Sequence, residues 1–197
     1  ETLVWEEKAP VSVARQAFHG VESLDGKIYF VGGYNGSASN IAERYDPTTN
    51  SWEALNPLSY PRHNMSSAVL NGKLYAIGGQ GLSIVEVFDP VTDQWSSGPN
   101  LPSEVSGGTA ITVAGKILLA GGKNASGQRI SQLLELDPAT NQWSQKTAMP
   151  TARNGLKLVL FESKVWAIGG GDGATHLKKV EIYDPIGDSW TTGPSLV

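Results

Sequence analysis

Three histidines and no cysteine are what this chain of 197 residues offers to metal or nucleophilic chemistry. His19, His63 and His176 have no close partner at ligand spacing, and no HExxH or DxDxDG pattern occurs, so neither a zinc site nor a calcium loop is expected. The absence of cysteine excludes a thiolate nucleophile, thiolate-bound zinc and a disulfide framework. No Gly-x-Ser-x-Gly elbow is present. The stretch GGGDGATH starts a Gly-x-Gly pattern at Gly171 and Gly173 but puts His176 where a phosphate cradle needs its third glycine. The expectation is a protein without catalytic residues, metal or cofactor, and not an enzyme.

Charge is more informative where it recurs. Arg15, Arg62 and Arg153 each stand shortly before an apolar run, and Glu43, Glu86 and Glu181 each stand three residues before an Asp-Pro. The stretch between Leu101 and Lys116 lacks the arginine, and Leu134 takes the corresponding glutamate position. Joint loss predicts that the two charges serve each other, because a buried charge without a partner is costly. The arginines also lie at the entry to variable loops, so they count as ligand candidates too.

These residues sit on a repeated frame. Double glycines close the apolar runs KIYFVGG, KLYAIGG, KILLAGG and KVWAIGG, at intervals of 43 to 48 residues. Before each run stands a tight turn, LDGK, LNGK, VAGK or FESK, the signature of a two-residue hairpin. After each comes a third strand that ends in YDPTTNSW, FDPVTDQW, LDPATNQW or YDPIGDSW. In that motif the Asp can accept bonds from backbone amides ahead of it, Pro sets φ, and the later Asn or Asp tolerates the left-handed region. It predicts a hairpin into a fourth strand, with a Trp at fixed register to cover apolar surface between units. Trp5, in VWEEKAP, resembles the other four and predicts one surplus outer strand over 1–10.

A glycine pair, then Tyr-Asp-Pro, then Trp six residues beyond the Asp resembles the Kelch repeat, in four in-phase copies over about 11 to 193. The resemblance implies an all-β Kelch-type β-propeller of four repeats, each a four-stranded antiparallel blade. The repeats would run over about 11–56, 57–101, 102–149 and 150–197, as a single propeller unit over 1–197 with its ring closure open. Kelch propellers commonly have more than four blades, so either a larger ring or completion by another copy of the chain is in view. One Kelch type is a copper oxidase whose cofactor needs a Cys, which this chain lacks.

In such a blade the loops between strands two and three and those between blades share one face, and these vary most among the repeats. Variable loops on a rigid scaffold are where binding resides. The candidate ligand-binding residues are Tyr34, Asn35, Gln80, Lys123, Asn124, Arg129, Asp172 and His176 from the first loops, with Arg15, Arg62, His63, Asn64, Arg153 and Asn154 from the second. The resemblance implies Tyr and Arg as anchors for peptides or partner loops.

Composition narrows the partner. A formal net charge of -4 with 17% charged residues weighs against a nucleic-acid surface, and no apolar run approaches the roughly 18 residues of a membrane span. The opening at Glu1, without Met or signal-like pattern, reads as a processed or excised piece of unassigned location. Asn35, Asn64 and Asn124 start Asn-x-Ser triplets that would place sugars on the loop rim in a glycosylating pathway. The leading expectation is a non-enzymatic module binding a protein or peptide on the loop face. Two alternatives stay open: a carbohydrate-binding or sugar-processing propeller, and an assembly fragment completed by another chain, including a homodimer that completes the ring.

Overall fold

The computed structural model describes residues 5–16 and 21–197 of the chain, and within them it is all-β. His19 lies outside the described residues. Blade 1 is β1 (Val21–Leu24), β2 (Lys27–Val31), β3 (Ala42–Asp46) and β4 (Ser51–Ala54); blade 2 is β5 (Ser66–Leu70), β6 (Lys73–Ile77), β7 (Val85–Asp89) and β8 (Gln94–Ser97). Blade 3 is β9 (Thr109–Val113), β10 (Lys116–Ala120), β11 (Leu133–Asp137) and β12 (Gln142–Lys146). Blade 4 is β13 (Lys157–Phe161), β14 (Lys164–Ile168), β15 (Val180–Asp184) and β16 (Ser189–Thr192). Every sheet is an antiparallel meander in sequence order.

The turns explain the registers. Both central residues of each first hairpin have positive φ, from Asp25 and Gly26 through to Glu162 (49°) and Ser163 (59°). That geometry matches the right-handed twist of the strands it joins. In the second hairpins the Asp carboxylate accepts the amide two residues on, at 2.8 Å from Thr48, 2.9 Å from Val91, 2.8 Å from Ala139 and 3.0 Å from Ile186. Asn50, Asp93, Asn141 and Asp188 then take the left-handed conformation. The count of residues between Asp and Trp is therefore the length of the turn, and it sets each Trp opposite the residue before the Asp.

The tryptophans work between blades. Trp95, Trp143 and Trp190 pack against the apolar clusters joining blades 1 and 2, 2 and 3, and 3 and 4. Each ring stacks in tilted fashion on its own blade where an aromatic faces it, as for Phe88 and Trp95 at 5.1 Å. Each indole N–H then donates to a carbonyl of the linker entering its own blade: Asn56 (2.8 Å), Pro99 (2.7 Å) and Thr147 (2.8 Å). Trp52 makes the same bond to Ala9, at 2.8 Å. Residues near Ala9 are thus the linker into blade 1. The outer strand expected over 1–10 does not form within 5–10, and Trp5 is fully exposed. A fourth strand needs the ladder of a third strand beside it, and none among the described residues stands there.

Three core clusters tie the blades in sequence order, and none among the described residues joins blade 4 to blade 1. The glycine pairs make the junctions possible. A Cβ on Gly78 would lie 2.6 Å from the Val105 carbonyl and one on Gly121 2.5 Å from that of Arg153, both at positive φ. Only a residue without a side chain lets the next linker approach so closely.

Candidate ligand-binding face

The loops that could bind a ligand are set by three buried ion pairs. Arg15 meets Glu43 at 2.8 Å and Arg153 meets Glu181 at 3.0 Å, and Arg62 is paired with Glu86 in the same way. The Glu86 and Glu43 carboxylates also accept the linker amides of Ser59 (2.7 Å) and Ser12 (3.1 Å), and Glu181 accepts the Thr151 hydroxyl (2.6 Å). The Arg62 guanidinium donates further to the carbonyls of Gly78 and Ile84, at 3.0 Å each. Each pair therefore staples the inter-blade linker to strands two and three of its own blade. In blade 3 the corresponding residues, Val105 and Leu134, are both buried in the apolar cluster. Burial pushes the Arg62 and Arg153 guanidinium pKa values down from their ordinary range against the pull of their glutamates. Burial likewise raises that of Glu43, but the bonds from Ser12 and Arg15 outweigh it and hold the carboxyl below its usual range.

The arginine side chains are not on the loop face. All three are fully enclosed, so the expectation that Arg15, Arg62 and Arg153 contact ligand directly is corrected: they position the loops. The physical reason is that a guanidinium needs acceptors on several sides: beneath the rim Arg15 and Arg62 find a glycine carbonyl beside the glutamate, that of Gly32 and of Gly78, and Arg153 finds the Ala167 carbonyl beside Glu181.

The remaining candidates fall into two groups. On blades 1 and 2, the Tyr34 and His63 rings lie 5.2 Å apart, and His63 Nε2 is 3.0 Å from the Gln80 amide oxygen. Asn35 is exposed beside them, and Asn64, at φ 52°, gives its carbonyl to Gly107. On blades 3 and 4, Arg129 donates to the Asn154 amide oxygen at 3.2 Å, and both line a cleft of about 570 Å³ with Thr175 and His176. Lys123 stands next to this cleft, bridged to Arg129 through the backbone. Two candidates serve their own loops instead. Asn124 caps the amides of Ser126 and Gln128, and Asp172 those of Ala174 and Thr175, which holds the Asp172 carboxyl below its ordinary range.

Thr175 and Leu196 line the cleft without having been singled out from sequence. Leu196 carried a usable signal, since it stands six residues after its Trp, as Leu58, Leu101 and Met149 do. Thr175 carried none beyond its place beside His176. Among the described residues no group of three or more His, Asp or Glu is arranged to hold a metal ion, and Arg129 has no acidic partner.

The chain matches the model of the KLHDC2/KLHL20/DRC7 Kelch-repeats domain over residues 18–195. It is similar to human Kelch-like protein 33, at 44% identity over 78 residues, covering 39% of this chain and 14% of that protein. It is also similar to F-box/kelch-repeat protein At1g67480 of Arabidopsis thaliana, at 38% over 78 residues, 39% of this chain and 20% of that protein. The mouse Influenza virus NS1A-binding protein homolog matches at 36% over 80 residues, covering 40% and 12%. The matched stretches thus span a fifth or less of these relatives. Among solved structures, that described as "Structure of YjhT" superposes with a TM-score of 0.83 at 21% identity, over 95% of this chain and 68% of that one, which shows the shared fold. With four glycine-pair blades and a family match over most of its length, the chain belongs to the Kelch-repeat family of β-propellers.

Proposed function

We propose that this domain is a non-enzymatic binding module that receives a protein or peptide segment on the face formed by the strand 2–3 loops and the inter-blade loops. The observation that carries this reading is the cleft of Arg129, Asn154, Thr175 and His176. Its guanidinium has no acidic partner among the described residues, while the loops around it are held from below by the Arg153–Glu181 pair. A charged donor fork already oriented by Asn154 suits a carboxylate on an incoming side chain or chain end. A relative is named for binding a protein, the influenza NS1A protein, and such recognition fits a face of variable loops on a rigid frame.

The test is selection from a random peptide display library on the purified domain, repeated with Arg129→Ala and Asn154→Ala. Enriched peptides should share an Asp, Glu or free carboxyl terminus and lose about tenfold in affinity with Arg129→Ala, the size of one charge-assisted bond. Peptides that bind equally well to both variants, or shift only amides of the opposite hairpin face, would sink the reading. A second reading rests on Tyr34 and His63, whose adjacent rings beside Gln80 offer a stacking surface with a hydrogen-bonding edge, as a sugar ring requires. Binding on a glycan array, abolished by Tyr34→Ala and untouched by Arg129→Ala, would favour it.

A further inference from the structure

Asn35, Asn71 and Asn154 are each followed by glycine, and the fold treats the three pairs differently. Without a side chain on the second residue, its backbone nitrogen meets little steric opposition on the way to the preceding carboxamide. Attack closes a five-membered ring only if that nitrogen can swing onto the side-chain carbon, so bonds that hold either group prevent it.

Two of the pairs are held. Asn71 and Gly72 are the turn of the first hairpin of blade 2, with φ of 51° and 72°, and Leu70 pairs with Lys73 directly across them. Ring closure there would undo the turn and the register of β5 on β6. At Asn154 every participant is engaged. Its amide oxygen accepts from Arg129 at 3.2 Å, and its backbone N–H and carbonyl both bond Gly171, at 3.1 and 2.9 Å. The Gly155 N–H, the group that would attack, donates to the Gly107 carbonyl at 2.9 Å.

Asn35 has none of these restraints. It opens the tip of the strand 2–3 loop of blade 1, whose base is closed by the Ser39 N–H on the Gly33 carbonyl (2.9 Å) and by the bridge between Tyr34 and Ala38. Asn35, Gly36 and Ser37 are all exposed, and the bond within the tip runs from the Asn35 N–H to the Ser37 carbonyl at 3.2 Å. Among the described residues nothing bonds the Asn35 carboxamide or the Gly36 N–H. A Cβ on Gly36 would meet no atom within 4 Å. Nucleophile and electrophile are adjacent, solvated and free to turn above a fixed base.

We propose that Asn35 is a site of spontaneous deamidation that changes the charge of the loop face. The Gly36 nitrogen gives its proton to hydroxide and bonds to Asn35 Cγ; the carboxamide C–N bond breaks, and its nitrogen leaves as ammonia after taking a proton from water. One water then opens the succinimide. Cleavage between Cγ and the Gly36 nitrogen leaves an ordinary aspartate in place of Asn35. Cleavage between the backbone carbonyl carbon and that nitrogen leaves an isoaspartyl link, in which the main chain runs through Cγ. The sum is one water consumed and one ammonia released, with nothing oxidised or reduced. Either product adds one negative charge to the formal -4, beside the Tyr34 and His63 rings that lie 5.2 Å apart. The isoaspartyl product also lengthens the tip by one backbone carbon. This inference rests on the chemistry of the loop and is independent of what the face binds.

The experiment ages the purified chain in water labelled with heavy oxygen at mildly alkaline pH, folded and in guanidinium chloride, and follows each Asn-Gly pair by peptide mass spectrometry. In denaturant the three pairs should react at comparable rates. In the folded chain Asn35 should keep its rate while Asn71 and Asn154 slow at least about tenfold, and each modified Asn35 peptide should carry one heavy oxygen. NMR of the folded chain should show the signals of Tyr34, His63 and Gln80 moving in step with the modification while those of blades 3 and 4 stay in place. The proposal is overturned if folded Asn35 is slowed as much as the other two, or if all three react alike in the folded chain. It is equally overturned if complete modification leaves the Tyr34 and His63 signals unmoved, or if Asn35→Gln ages with the same shifts.

Discussion

Arg62 and Glu86 form a salt bridge shielded from solvent within blade 2, and at the same two positions of blade 3 stand Val105 and Leu134, equally buried. One fold thus carries both solutions to a single site, a charge pair and an apolar pair, and this supplies its own control. Replacing one partner strands a buried charge, whereas replacing both need not.

Arg62→Ala is therefore expected to cost about 3–5 kcal/mol, and the double change Arg62→Val with Glu86→Leu to return within about 1–2 kcal/mol of the parent. Urea denaturation of the single and double variants measures both. A double variant as unstable as the single one would mean that the bonds to Gly78, Ile84 and Ser59, rather than pairing, govern this junction.

The tryptophans are expected to matter less than fully buried rings, because Trp95 and Trp143 are only partly covered while packing on the junction clusters. Trp95→Ala should destabilise by about 2–4 kcal/mol, toward the lower part of the range for aromatic truncation. Trp5→Ala should have no measurable effect, since that ring is fully exposed. Parallel denaturant curves for the two variants make the comparison.

Acid should loosen the second hairpins. Asp46 is held down to about 2, first by the Thr48 hydroxyl; Asp89 and Asp184 are held low by Lys73 and Lys164, and Asp137 by the Ala139 amide. Folded values below unfolded ones near about 4 give stability that is complete above that pH and lost as pH falls through the folded values. The urea midpoint should thus decline between about pH 4 and pH 2. A midpoint constant over that window would refute the role given to these carboxylates.

Blade 4 closes its first hairpin with Glu162 and Ser163, both at positive φ without glycine. Changing them together to Asn-Gly, as Asn71 and Gly72 stand in blade 2, should stabilise the domain by about 1 kcal/mol. Thermal melting of the double variant tests it, and a lowered midpoint would show that the two side chains hold contacts worth more than the backbone strain.

The blades were readable in the amino-acid order because their determinants are local. An Asp that caps amides two residues ahead, an Asn50 or Asp188 in the left-handed region and a glycine pair at each strand end act over a few residues, so they recur at countable intervals. The pairing of arginine with glutamate was also legible, through the repeat in which both are missing. Function was less so. Arg15, Arg62 and Arg153 look like surface anchors in the chain, but each is enclosed where a backbone carbonyl and a carboxylate from distant residues accept its bonds, and only folding brings those acceptors together. The cleft of Arg129, Asn154 and His176 joins loops of two blades that share no spacing or pattern. The open flank of blade 4 is the plainest case. Val159 and Phe161 have the same alternation as Ala68 and Leu70, and nothing in their order tells which pair is covered. Burial belongs to the neighbour, and a neighbour is a property of the tertiary structure.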